Sequence, residues 1–161
     1  MGGGGGGSRG IGDLRSLVDK AKEELREGER QGRRNVFISF AYEDIDEVNL
    51  MRGQARNENV PLEFNDWSVP EPYESERAAY LKQKIGERIA QSSVTVVYVS
   101  EHSTNSKWVE WEIEESLRRG KHVLAVHKGD VPPTSIPEAV LRHGLSLVRW
   151  GNLAQEIAGL D

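Results

Sequence analysis

Trp108 and Glu112 stand four residues apart in the segment KWVEWEIEESLRRG. A helix there places both on one face near its start. Val109, Ile113 and Leu117 form the adjoining apolar stripe, which sets Glu112 at the margin of buried surface. A carboxylate so placed has one pointed use. It can hydrogen-bond a ribose diol and stabilise the positive charge that builds as a glycosidic bond opens toward an oxocarbenium-like state. A plainer reading stands beside it, because a Glu in a first turn also complements the helix dipole.

Three other groups join Glu112 if the strands preceding them end at one edge of a sheet. They are Ser39, Phe40, Ala41 and Tyr42; then Asn65, Asp66 and Trp67; then Ser100, Glu101 and His102. The rings of Phe40, Tyr42, Trp67 and Trp108 can stack on a flat heterocycle, whereas Trp111 reads as a packed residue. His102 reads either as an acid–base group or as a surface histidine of a loop. The four histidines, at 102, 122, 127 and 143, lack metal-ligand spacing, so no metal site is expected. No glycine-rich phosphate loop follows a strand. Ser39 and Ser100 lack the elbow sequence of a hydrolase nucleophile. A phospho-acceptor pattern is also missing: only Glu43 and Asp44 follow the first strand, and the third ends in Ser100.

These residues need a frame. The run Asn35–Phe40 is too apolar for a half-exposed strand and reads as a buried central one. A helix follows from about Asp44. The strand Val60–Asn65 carries Pro61 near its start, which suits an edge. After the loop DWSVPEPYES, a helix opens at Ser75 or Glu76 with the stripe Ala78, Leu81, Ile85 and Ile89. Ser93–Ser100 is the strongest strand signal, and the Trp108–Glu112 helix stops at Gly120. His122–His127 and Leu145–Trp150 complete five strands, and a short helix spans Gly151–Leu160. Apolar strands alternating with helices predict an α/β domain, a flavodoxin-like parallel sheet of order 2-1-3-4-5 with helices on both faces. Its ligand crevice lies beyond the C-terminal ends of strands one and three.

Upstream, residues 1–10 read as a flexible glycine-rich tail and residues 11–33 as an amphipathic helix carrying Leu14, Leu17, Val18, Ala21 and Leu25. The domain proper is expected over residues 34–161. The 161 residues carry a formal charge of −5, with the excess acid downstream of residue 34, which makes a poor general surface for nucleic acid. No run reaches the roughly 18 apolar residues of a membrane span. With no cysteine, disulfides, thiolate catalysis and zinc-thiolate sites are excluded. The start MGGGGGGSRG has no apolar core of a secretory signal. A soluble, cytoplasmic protein is the expectation.

Two boxes carry a resemblance. N-V-F-I-S-F-A-Y-E-D is similar to the TIR pattern of an apolar strand ending in Ser and an aromatic, with Asp soon after. S-K-W-V-E-W-E-I resembles the TIR helix motif of a Trp followed four residues later by a Glu. Over roughly residues 34–150 the chain resembles bacterial TIR-like domains of the ThsB group of Thoeris anti-phage defence. The resemblance implies that Glu112 is catalytic and that NAD+ is a substrate rather than a cofactor. It implies cleavage of the nicotinamide–ribose bond, giving ADP-ribose or a cyclic ADP-ribose-type signal that reaches an effector protein. It also implies self-association, while non-catalytic adaptors of the same fold and nucleoside ribosyl-transferring enzymes of related fold remain alternatives.

Overall fold

The computed structural model describes residues 14–22, 34–65 and 72–160. The chain divides into two units, residues 1–33 and 34–161. In the first, residues 14–22 are helical (α1); the expected glycine tail and the rest of the expected helix lie outside the described residues.

The second unit is built on five parallel strands: β1 (Arg34–Ser39), β2 (Leu62–Asn65), β3 (Val94–Tyr98), β4 (His122–His127) and β5 (Leu147–Arg149), in the order β2-β1-β3-β4-β5. This is the expected doubly wound, flavodoxin-like sheet. β1 is an interior strand, pairing Val36 with Phe64 on one side and Val36 with Val94 on the other. The middle position falls to β3, whose five residues are all buried. β2 is the edge strand. Pro61 just ahead of it lacks an N–H to donate, while its carbonyl accepts from the Arg34 N–H at 3.2 Å.

Side chains alternate across the strands, so the interior strands β1, β3 and β4 feed a core on each face, whereas the edge strand β2 adds Leu62 and Phe64 to one. Val36, Ile38, Phe40, Val94, Val96, Tyr98, Leu124 and Val126 meet Val48 and Met51 of α2 (Ile45–Asn57) and Leu153 and Ile157 of α6 (Leu153–Ala158). On the opposite face, Phe37 packs with Leu81, Ile85 and Ile89 of α3 (Ala78–Gln91) and with Trp108. Val97, Val123 and Ala125 pack there with Val109 and Ile113 of α4 (Lys107–Arg118) and with α5 (Glu138–Arg142). Burial on both faces is why these strands read as unbroken apolar runs. α4 ends where expected, at Gly120, whose φ of +74° favours glycine. β5 is shorter than its apolar signal, because Trp150 already begins a 3-10 turn. Among the described residues, no helix is long and apolar enough to cross a membrane.

Candidate active site

On β1 the alternation turns Val36, Ile38 and Phe40 toward α2 and α6, leaving Phe37 and Ser39 toward α3 and α4. Ser39 is the last residue of the strand and is wholly buried, so its hydroxyl needs a partner. It donates to Oε1 of Glu112 at 2.7 Å, joining residues 73 apart in sequence. Glu112 rides on α4, whose first turn is capped by Ser106: its Oγ accepts from the Val109 N–H at 3.2 Å. At 3% exposure, Glu112 lies deeper than the margin its sequence context suggested. One helical turn further on, the Ser116 hydroxyl bonds the Glu112 carbonyl at 2.7 Å and lies 2.8 Å from Thr95 Oγ1 on β3. A polar seam thus runs through an otherwise apolar helix–sheet contact.

The second polar group sits at the C-terminal ends of β1 and β3. Asp44, the residue ahead of α2, is 4% exposed and accepts a hydrogen bond from the Ser100 hydroxyl. Burial raises its pKa, and Glu47 and Glu43 push the same way; the Ser100 hydrogen bond and the nearby His102 oppose them. Beside it, Tyr98 donates to Glu47, and burial, then that carboxylate, lifts the phenol well above its ordinary range. Lys128 reaches Glu47 at 3.6 Å.

The remaining expected residues disperse. Ala41 is buried, and Phe40 packs in the α2–α6 core. Trp108 lies on the opposite face of the sheet, edge-on to Tyr73 at 5.1 Å and to Trp111 at 6.2 Å. Of these three aromatic candidates, Phe40, Tyr42 and Trp108, only Tyr42 keeps an exposed ring. His102 is on the surface, 3.7 Å from Glu101. Asp66 and Trp67 lie outside the described residues. Asp44, Thr95 and Ser116 were not singled out from sequence as site residues. The available signals were an Asp five residues after Ser39, a Thr inside an apolar strand, and a Ser one turn beyond Glu112 on the inward face. Among the described residues, no group of three or more His, Cys, Asp or Glu side chains is placed to hold a metal ion.

A doubly wound sheet of this order, with a buried carboxylate held between β1 and α4, defines a flavodoxin-like domain of the TIR type. Residues 37–132 match the family model described as Thoeris protein ThsB, TIR-like domain, and the chain belongs to that family. The putative cyclic ADP-D-ribose synthase ThsB1 of Bacillus cereus (strain MSX-D12) is 29% identical over 99 residues, 58% of this chain and 51% of that protein. The chain therefore spans about half the length of that curated relative. Among solved structures, a 2-desoxiribosyltransferase from Leishmania mexicana aligns with a TM-score of 0.43 and 14% identity, over 70% of this chain and 72% of its own. The TIR domains of the activated Roq1 resistosome recognizing the effector XopQ align with a TM-score of 0.43 and 16% identity, over 76% and 69%.

Proposed function

We propose that this chain cleaves the nicotinamide–ribose bond of NAD+ in an anti-phage signalling role. The carrying observation is the carboxylate of Glu112, buried at the sheet's C-terminal side, oriented by Ser39, in a member of the ThsB TIR-like family. The name of the Bacillus cereus relative, a putative cyclic ADP-D-ribose synthase, supports the same substrate class.

In this reading the C1′–N bond breaks and its electron pair leaves with nicotinamide, which cancels the charge on the pyridinium ring. The ribose is left oxocarbenium-like. Glu112 accepts hydrogen bonds from the ribose hydroxyls and stabilises that positive charge in a site where water screens it little. Water then adds to C1′ and loses a proton, giving ADP-ribose. Alternatively, a nucleophilic atom elsewhere in the same molecule adds, giving a cyclic product. Ser39 holds the carboxylate in one rotamer, so little reorganisation is needed as charge develops.

At 3% exposure Glu112 is shielded, and a nucleotide reaches it only when neighbouring groups move. That favours activity that depends on self-association or on an activating signal. The same observation also favours a second reading, a scaffold whose output is protein contact alone. The test is incubation of the full chain with NAD+ at high protein concentration, with nicotinamide and ADP-ribose isomers resolved chromatographically. Nicotinamide release by the parent and its loss in E112Q support the enzyme. No release at any concentration, with or without crowding to drive assembly, supports the scaffold.

A further inference from the structure

The hydrogen bonds of Ser100 have a fixed direction. Its Oγ accepts from the His102 N–H at 3.1 Å and the Ser103 N–H at 3.2 Å. A hydroxyl oxygen has two lone pairs and one proton. Both acceptor positions are occupied by amides, so the proton has one destination, Oδ2 of Asp44. Ser103, wholly buried, closes the turn: its hydroxyl accepts from the Ser100 N–H at 2.9 Å and donates to the Ser100 carbonyl at 3.0 Å. The Ser103 carbonyl then accepts the N–H of Ser106, which caps α4. A continuous chain of hydrogen bonds therefore leads from Asp44, between β1 and α2, to the first turn of the helix that carries Glu112. The direct contact of Ser39 with Glu112 is another polar tie between the β1 end and that helix.

We propose that Asp44 is a positioning residue. Through Ser100 it latches the turn between β3 and α4 to the end of β1, and so sets where α4 presents Glu112. Ser100, expected from sequence to face substrate, is a link in this latch. What the latch requires of residue 44 is an acceptor oxygen, not a charge. An amide oxygen serves as well as a carboxylate, so D44N keeps the latch and D44A removes it. The proposal for Asp44's effect on turnover rests on the NAD+ reading; the latch itself does not.

The experiment uses the full chain in four forms: parent, D44A, D44N and S100A. Amide hydrogen exchange is read by NMR at His102 and Ser103, with Val36 and Val96 as core references, and NAD+ turnover is measured alongside. In D44A and S100A, exchange at His102 and Ser103 is expected to quicken by about tenfold or more while the core amides hold, because their acceptor is lost or loosened. D44N stays near the parent. The kcat of D44A falls by about 10- to 100-fold without a matching rise in KM, as small misplacements of a catalytic group do, and D44N restores it. Unchanged exchange in D44A overturns the latch. Parental turnover in a D44A whose exchange has quickened overturns the positioning role. If D44A fails to fold, S100A, which breaks the same link from its other side, decides by turnover: parental turnover in a folded S100A overturns the positioning role. A parent that releases no nicotinamide sinks the NAD+ reading instead, and the exchange data still decide the latch.

Discussion

Replacing Glu112 by Gln separates its charge from its shape. The Gln side chain keeps an Oε1 acceptor for the Ser39 hydroxyl now 2.7 Å away. The bond changes from one to a charged group, worth roughly 1.5–3 kcal/mol, to a neutral one of about 0.5–1.5 kcal/mol. Removing a charge that is only 3% exposed relieves desolvation and works in the opposite direction. The two effects are similar in size, so stability should stay within about 1 kcal/mol of the parent, a melting shift of about 5 °C or less for a domain of this size. E112A differs, because it leaves the buried Ser39 hydroxyl without its acceptor, at about 1–3 kcal/mol, and opens a void as well. On the chemical step, losing a preorganised charge should slow turnover by about 10²–10³, roughly 3–4 kcal/mol. NAD+ consumption and melting temperature are compared in preparations whose parent is active. Full turnover by E112Q would refute the assigned chemistry. A melting drop beyond about 10 °C in E112Q would show that the charge holds the fold, and the estimate of balanced effects would be wrong.

Trp108→Ala should damage fold and activity together, since the ring packs on Phe37, Ile85 and Tyr73: a loss of about 3–5 kcal/mol, read as a lower urea midpoint at unchanged slope. Ser106→Ala removes the α4 cap and should lower stability by about 0.5–2 kcal/mol in thermal unfolding; no change would mean that the first turn is held by its neighbours. The raised pKa of Asp44 means that the folded state holds this proton more tightly than the unfolded chain, so its contribution is greatest in acid and is lost as pH rises through the folded value. D44N, which cannot titrate, should therefore gain stability relative to the parent as pH rises from about 4, where an ordinary Asp ionises. His102, Glu47 and Glu43 are the charged neighbours acting on the same group, and a difference that stays flat from acid to neutral pH would contradict the assignment.

Much of the fold was legible because its physical cause is periodic. Strands covered on both faces must be apolar at every position, and Asn35–Phe40 and Ser93–Ser100 announce themselves that way. Their composition does not rank them, but the expected order 2-1-3-4-5 already sets the third strand in the middle, where the structure has it. Both are interior, and which one takes the middle follows from the crossovers, not from composition. The last strand is shorter than its apolar run for a local reason. Leu145 to Trp150 is apolar enough for a six-residue strand, yet Leu145 still belongs to the turn after α5, its N–H donating to the Val140 carbonyl. Trp150 stacks on Phe64 at 5.6 Å from within a 3-10 turn, so its hydrophobicity reflects a ring contact rather than a strand position.

The site was legible in type but not in depth. Spacing places Glu112 on the face of α4 shared with Trp108, but says nothing of how far that face sinks into the sheet. The depth comes from the small and polar residues the helix meets. Ser39 and Thr95 point from neighbouring strands toward α4, and Glu112 and Ser116, one turn apart, answer them. Replacing both partners of such a contact by apolar side chains of the same shape can be nearly neutral or even stabilising. Stability alone therefore gives no reason for this seam. Its physical effect is on register: an apolar stripe of Val109, Ile113 and Leu117 allows a helix to slide or roll on a sheet with little change in buried area. Two polar contacts at different heights, to two different strands, fix both motions because any displacement leaves a buried hydroxyl or carboxylate unpaired. The position of Glu112 is thus set by directional bonds that hydrophobic patterning cannot report.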